Sequence, residues 1–482
     1  MGVDLIHGDR AGDLEDAAVG ALGAAFRGEL IRPGEERYDD ARRVWNGMVD
    51  RRPAVIARCT GVADVVAAVT FAREHGLLVA VRGGGHNVAG HAVCDDGIVI
   101  DLSGMKGVRV DPDARTARAR PGVTWGEFDR ETQLYGLATT GGFVASTGIA
   151  GLTLGGGIGW LARKHGTACD NLLSVDVVTA GGEVVTASAT EHPELFWGLR
   201  GGGGNFGIVT SFEYRLHPVG PTVLAGGVVH PFERAGEVLR RFGDQVASAP
   251  DELTVVAVIS RAGAEPHLPE RAHGQLVVTL SVCWAGDLQE GERALRPLRS
   301  FGRPLADLVG PTPYTVLQSA DAPSGLQNYW KSSYLDALTD EAIDTAIAHA
   351  SGMTSPLSSL YFEHLRGAIG RVGDGDTAFG HRDAAFDFNI VSVWPDPATS
   401  AEHIGWSRGL WAAMQPFASG VYVNNLGAEG EGRVRAAYPP ATYRRLVALK
   451  DEYDPGNLFR CNQNIRPSAH PGRVGFEHDR RS

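Results

Sequence analysis

Two hydrophobic periods alternate along the chain. In GVADVVAAVTFAREHG (61–76), Val62, Val65, Val66 and Val69 recur at the spacing of one helical face and predict an amphipathic helix. The runs LLVAV (77–81), IVIDL (98–102) and IVTSFEYRL (208–216) are short, apolar and rich in β-branched residues, so they predict strands. SVDVVTA and EVVTA, joined by Gly181-Gly182, predict a β-hairpin. From 220 to 419 the strands lengthen: LTVVAVIS, QLVVTLSVCW and FDFNIVSVW alternate with amphipathic helices predicted near 289–302, 338–351 and 399–416. Regular strand–helix alternation is missing from the first part. The pattern is therefore α+β, with an antiparallel sheet covered on one face in the second part.

Composition narrows the choices. The chain has 482 residues, a prior of about three folding units. Glycine makes up 64 of them, about 13 % against a usual ~7 %, without a three-residue period, which excludes collagen. With 43 % hydrophobic residues the chain is not a disordered tail. A net charge of -12 and the absence of a basic stretch argue against nucleic-acid binding. Five scattered cysteines (59, 94, 169, 283, 461) form neither a disulfide framework nor a zinc pattern, and no metal site is expected. The opening MGVDLIHGDRAGDLED is acidic and lacks an apolar signal core. Ile6 stands where a myristoylation signal carries Ser or Thr, and no apolar run nears the ~20 residues of a membrane span. A cytoplasmic protein without a membrane partner is the expectation; its oligomeric state is not readable.

Glycines fall in three bursts, at 83–85, 141–159 and 201–207. Arg82-Gly83-Gly84-Gly85-His86-Asn87 follows a predicted strand directly. Such a turn lets backbone N–H groups approach a pyrophosphate, or is simply tight. The second burst offers the same access over a longer path, which favours a large phosphate-bearing cofactor. Gly202 to Gly207 matches G-x-G-x-x-G, but a strand follows it and no acid lies in GPTVLAGGVV (220–229), so a nicotinamide-binding reading fails on context. Cys169 reads as a buried structural thiol. Glu363, on an apolar strand beside His364, is either a general base with a raised pKa or a solvated edge residue. Lys331 and Tyr334 line a pocket or staple a loop. The aromatics of 220–419, Trp284, Tyr329, Trp330, Tyr334, Tyr361, Phe379, Phe386, Phe388 and Trp394 among them, read equally as core or pocket wall.

Five segments occur together in one order: RGGGHNVAGH (82–91), GIAGLTLGGGIGWLARKHG (148–166), ACDN (168–171), ELFWGLRGGGGNFGIVTSFEYRLH (194–217) and YDPGNLFRCNQNI (453–465). In this the chain resembles the berberine-bridge-enzyme-like FAD-linked oxidases of the vanillyl-alcohol-oxidase superfamily, from about 37 to 467. The resemblance implies a p-cresol-methylhydroxylase-type FAD-binding domain of two α/β subdomains (1–219). It also implies a substrate domain with a helix-covered antiparallel sheet (220–419) and a C-terminal segment returning to the first (420–482). By the same resemblance, His86 would carry the flavin covalently. Gly83, Gly84, Gly85 and Asn87 would cradle the pyrophosphate, and Arg82 and His91 would belong to the same cofactor site. Thr147, Gly148, Gly151, Thr153, Gly155, Gly156 and Gly159 would run along the ring and ribityl chain, and Val209 would meet the adenine. Asn462 and Asn464 would return to the flavin, with Tyr422 and Asn424 near its ring. Many relatives carry a second link through a cysteine; here Val144 stands in its place, so a single link is expected. The implied activity is oxidation of a small or medium organic molecule, a secondary metabolite, with hydride transfer to the flavin, Glu363 as base and O2 as acceptor giving H2O2. A flavin monooxygenase shares every cofactor motif. An NAD-dependent dehydrogenase and a non-catalytic flavin carrier are the remaining readings.

Overall fold

The computed structural model describes residues 16–320 and 322–468. The acidic opening stretch and Ile6 lie outside the described residues, apart from Asp16. In the described residues the chain builds two small sheets, a two-stranded ribbon and one large sheet.

The first small sheet holds Glu29–Ile31, Val55–Arg58, Ile98–Asp101 and Val79–Arg82, in that spatial order; the last three run parallel. The helix Val62–Glu74 packs on it. Its buried stripe is Val65, Ala68, Val69 and Ala72, all without exposure, while Val66 is only partly covered. The face is thus turned slightly from the one the valines alone suggest, because alanines let the helix sit close to the sheet. The second small sheet is antiparallel: Val108–Asp111, Thr116–Ala119, Ile208–Arg215, Leu172–Val178 and Val184–Ser188. The predicted hairpin forms here, with Val178 opposite Val184 and Gly182 at φ +85°. The G-x-G-x-x-G match runs straight into the strand Ile208–Arg215, not into a helix.

The large sheet runs antiparallel from Thr222–Pro231 to Ala418–Gly420 and is nine-stranded. Its helices, Ala235–Val246, Leu288–Arg299, Asp340–Ala350 and Ser400–Met414, cover one face around Val255, Ala257, Leu280, Phe362, Phe388 and Ile390. Strand side chains alternate, so Thr254, Val256, Glu363, Asp387 and Asn389 occupy the other face. That uncovered face meets the second glycine segment: Thr254 Oγ1 donates to Trp160 O at 2.8 Å and Arg163 Nε to Leu253 O at 2.7 Å. NYWKSSYL, where Lys331 and Tyr334 are expected to line a pocket or staple a loop, lies in the strand Gln327–Leu335, paired along its length with Phe386–Trp394. Among the aromatics of 220–419, Trp284, Phe386 and Phe388 belong to the helix-covered core, whereas Trp330 packs edge-on against Trp45.

After Gly420 the chain returns to the first part. Helix Pro440–Tyr453 carries Lys450, which is 0 % exposed and donates to Asn205 O (2.8 Å), Asp454 Oδ2 (2.7 Å) and Phe459 O (3.0 Å). Asp454 also accepts the N–H groups of Leu458 and Phe459 at 2.8 and 2.9 Å. One buried ion pair thus bends the tail back onto the third glycine burst. No helix among the described residues is long and apolar enough to cross a membrane. Lys450→Met leaves Asp454 buried without its cation. The expected cost is about 3–5 kcal/mol, read as a lower urea midpoint.

Candidate active site

The strand Val79–Arg82 ends on a buried ion pair. Arg82 Nη2 donates to Asp101 Oδ2 at 2.6 Å, from the neighbouring strand end in register with it. Burial alone would raise the Asp101 proton affinity. The Arg82 hydrogen bond and charge, with Ser103, outweigh it and hold the carboxyl below its ordinary value. The pair fixes where the chain leaves the sheet and enters Gly83-Gly84-Gly85.

At that turn two glycine segments meet backbone to backbone. A Cβ on Gly84 would lie 2.4 Å from Gly148 N, and one on Gly148 would lie 2.5 Å from Gly84 N. No side chain fits either position. Just beyond, the His86 ring stacks on Trp45, centroids 5.0 Å apart at 14°. Trp45 is itself held by Nε1 donating to Ala322 O at 2.9 Å. Asn87 Oδ1 accepts from His91 N at 3.1 Å. Burial lowers the His91 imidazole to about 4, so it is neutral at physiological pH. A cavity of about 500 Å³ flanks the turn, walled by Trp45, Arg82, Gly83 to His86, Ser103 and Ser146.

Other predicted residues have definite places. Thr147 O accepts from Trp125 N at 3.0 Å, which ties the loop to the second sheet's core. A Cβ on Gly151 would meet open space. The Thr153 hydroxyl is turned inward, 2.8 Å from Tyr214 Oη. Gly155 packs on Asn424, Gly156 on Phe379 and Gly159 on Gly141 O. Val209 is buried and paired with Val177 in the second sheet. Val144 lies in the segment gripped by 318–320, where Gln318 Nε2 donates to Gly142 O and Ala145 N donates to Ala320 O. Cys169 is fully buried, and burial pushes its thiol up to about 12, as a structural thiol requires.

The returning tail closes the site. Tyr422 Oη accepts from Gly157 N at 2.8 Å and from Asn424 Nδ2 at 2.7 Å; Asn424 Nδ2 also reaches Leu152 O at 2.9 Å. Burial raises the Tyr422 phenol, which stays protonated. Asn462 Nδ2 donates to Gly204 O and Phe459 O, whereas the Oδ1 atoms of Asn462 and Asn464 are buried without a protein partner. Buried acceptors without donors are rare and costly, so these two oxygens are available to accept from the N–H or O–H groups of a bound molecule.

On the uncovered face of the large sheet, Glu363 and Asp387 sit opposite each other on adjacent strands. Asp387 is 0 % exposed; Glu363 is half-buried as a residue, with its carboxyl end buried. Asp387 accepts from Ser332 Oγ at 2.8 Å and Asn425 Nδ2 at 2.9 Å; Glu363 receives one long contact, from Asn389 Nδ2 at 3.4 Å. Asn425 also donates to Asn389 Oδ1 at 2.7 Å, which joins this cluster to the Tyr422–Asn425 segment. Burial raises the Glu363 proton affinity well above the ordinary value, with the Asp387 charge adding to it, and burial lifts Asp387 to about 6. Trp45, Ser332, Asp387, Asn389 and Asn425 were not singled out in the sequence. The available signal for Asp387 and Asn389 was FDFNI, in which polar residues alternate with a core stripe.

Known proteins resemble the chain in sequence and fold. Residues 53–188 match the family described as an FAD binding domain, and 421–466 match the family described as berberine and berberine like. (R)-6-hydroxynicotine oxidase of Paenarthrobacter nicotinovorans is 33 % identical over 468 residues, spanning 92 % of this chain and 98 % of that protein. An FAD-linked oxidoreductase of Dictyostelium discoideum is 31 % identical over 451 residues, 92 % of this chain and 95 % of that one. Among solved structures, 6-hydroxy-D-nicotine oxidase from Arthrobacter nicotinovorans superposes with a TM-score of 0.83 at 31 % identity, covering 91 % of this chain and 98 % of that one. A chitooligosaccharide oxidase gives 0.82 at 25 % identity, with 94 % and 100 % covered. The chain belongs to the berberine-bridge-enzyme-like family of FAD-linked oxidoreductases and is an enzyme with the p-cresol-methylhydroxylase-type fold.

The residues present fit FAD: a glycine turn whose backbone walls the cavity, the open space beside Gly151, and the unpartnered amide oxygens of Asn462 and Asn464. Gly84→Ala forces the two loops apart. It is expected to cost about 1–3 kcal/mol and to lower the flavin-to-protein absorbance ratio of the purified enzyme.

Proposed function

We propose that this protein is an oxidase that removes a hydride and a proton from a small or medium organic molecule, with O2 as the final acceptor and H2O2 as product. The observation that carries the reading is Glu363. Its buried carboxyl lies on the sheet face turned away from the helices and is linked through Asn389 and Asn425 to the Tyr422–Asn425 segment. FAD, when bound, supplies the two-electron oxidation and the reaction with O2. His86 would hold it by a single covalent link. Gly83, Gly84, Gly85 and Asn87 would receive its pyrophosphate, and Gly148, Gly151, Asn462 and Asn464 would line its ring and chain.

The chain's own part is binding, orientation and proton movement. Tyr422 is fixed by two hydrogen bonds and orients Asn424 beside Gly155. Glu363 takes the proton that a substrate O–H or N–H loses as its adjacent C–H is oxidised. Only ionised Glu363 accepts a proton, and its proton affinity is raised. Activity is therefore lost as pH falls through that elevated value and gained above it.

Several relatives carry substrates in their names, hydroxynicotine and chitooligosaccharide among them. These and monolignols form the first panel to try. Val144, where a second flavin link is carried by many relatives, also favours a monooxygenase reading; 18O from 18O2 appearing in the organic product would establish it. Dithionite-reduced enzyme mixed with air-saturated buffer is expected to reoxidise rapidly, with one peroxide per flavin. Slow reoxidation would make the enzyme a dehydrogenase. For whichever panel compound bleaches the enzyme anaerobically, Glu363→Gln is expected to slow bleaching by about 10²–10⁴, and the wild-type rate is expected to climb with pH.

A further inference from the structure

Two buried carboxyls face each other on the open side of the large sheet, and only one has a role above. Glu363 and Asp387 are cross-strand neighbours in register. Such neighbours hold their Cβ atoms about 4.5–5.5 Å apart, and like charges directly opposite repel. No basic side chain among the described residues contacts either carboxylate. On the Gln327–Leu335 strand, Lys331 is spent on Glu429 at 2.6 Å. Arg433 pairs with the same Glu429, Arg382 pairs with Asp170 at 2.6 Å, and Arg163 bonds His364. The strand on the other side of Glu363 presents Val256 opposite it. Tyr361, Tyr334 and Tyr422 are the remaining titratable neighbours, and burial keeps all three protonated.

The hydrogen bonds are unevenly divided. Asp387 receives Ser332 Oγ and Asn425 Nδ2 at 2.8 and 2.9 Å, both groups that donate to an anion. Glu363 receives only the 3.4 Å contact from Asn389. Two adjacent carboxyls in one buried site do not both ionise, and the better-solvated one takes the charge. We propose that Glu363 and Asp387 form a pair holding a single proton, with Asp387 as a positioning residue that carries the negative charge and keeps the proton on Glu363. Resting on the oxidase reading, this deepens it. The base is armed only when the pair gives up its proton, and Asp387 decides how readily it does so.

The test reads protons directly and needs no substrate. Infrared spectra of the flavin-bound enzyme are taken across pH, and the Glu363→Gln spectrum is subtracted to isolate the Glu363 C=O stretch from that of Asp129, which burial lifts to about 7. The expected result is a protonated Glu363 band that persists through neutral pH. In Asp387→Asn, referenced to Asp387→Asn/Glu363→Gln, its midpoint is expected to fall by one pH unit or more, about tenfold in proton affinity. Should Asp387→Asn fail to fold, Ser332→Ala decides. It removes one donor from Asp387, moves part of the shared proton there and weakens the Glu363 band at neutral pH. The proposal is overturned by an ionised Glu363 at neutral pH, by an unmoved midpoint in folded Asp387→Asn, or by an unchanged band in Ser332→Ala. Flavin absorbance on the same samples separates the two claims. Enzyme lacking flavin but keeping the band pattern loses the oxidase reading and retains the pair; yellow enzyme without the pattern does the reverse.

Discussion

The whole site depends on two stretches of main chain touching where neither can carry a side chain. Gly84 and Gly148 approach so closely that a methyl group on either would enter the other's backbone. Steric exclusion of this kind is cheap to encode and leaves no alternative register. It locks the turn after the Arg82–Asp101 ion pair against the loop that begins the helix Ile149–Leu154. His86 then lies at a fixed place against Trp45. Had the contact been made by side chains, rotamer freedom would have blurred the position of every N–H aimed at a ligand.

The large sheet shows how one element serves two purposes. Its covered face is packed by Phe362, Phe388 and Ile390 beneath helices. Its other face sets carboxyl, amide and hydroxyl groups against the glycine segments and the returning tail. The period of two along each strand separates stability from chemistry residue by residue. The buried Lys450–Asp454 pair does a similar service at the far end, where it turns the tail so that Asn462 reaches Gly204.

Much of this was legible in the sequence because it rests on local patterns. The strands Val79–Arg82 and Ile98–Asp101, the hairpin at Gly181-Gly182 and the strand Phe386–Trp394 follow from apolar periodicity and turn chemistry. Glycine bursts announced backbone that must approach something. What stayed hidden was tertiary. Gln327–Leu335 is a strand whose face turned away from the helices carries Ser332 and Tyr334, so its apolar alternation is broken. Asp387 gains meaning only from Glu363 across a strand pair and Asn425 from a distant segment. The Thr153 hydroxyl meets Tyr214, and no local signal reveals which of two neighbours a hydroxyl will choose.

The most direct check on the account is to denature the purified enzyme in acid and digest the pellet. The account predicts that the flavin chromophore stays with the polypeptide and that mass spectrometry finds it on the single peptide containing His86. Flavin released into the supernatant, or an adduct on another residue, would contradict it.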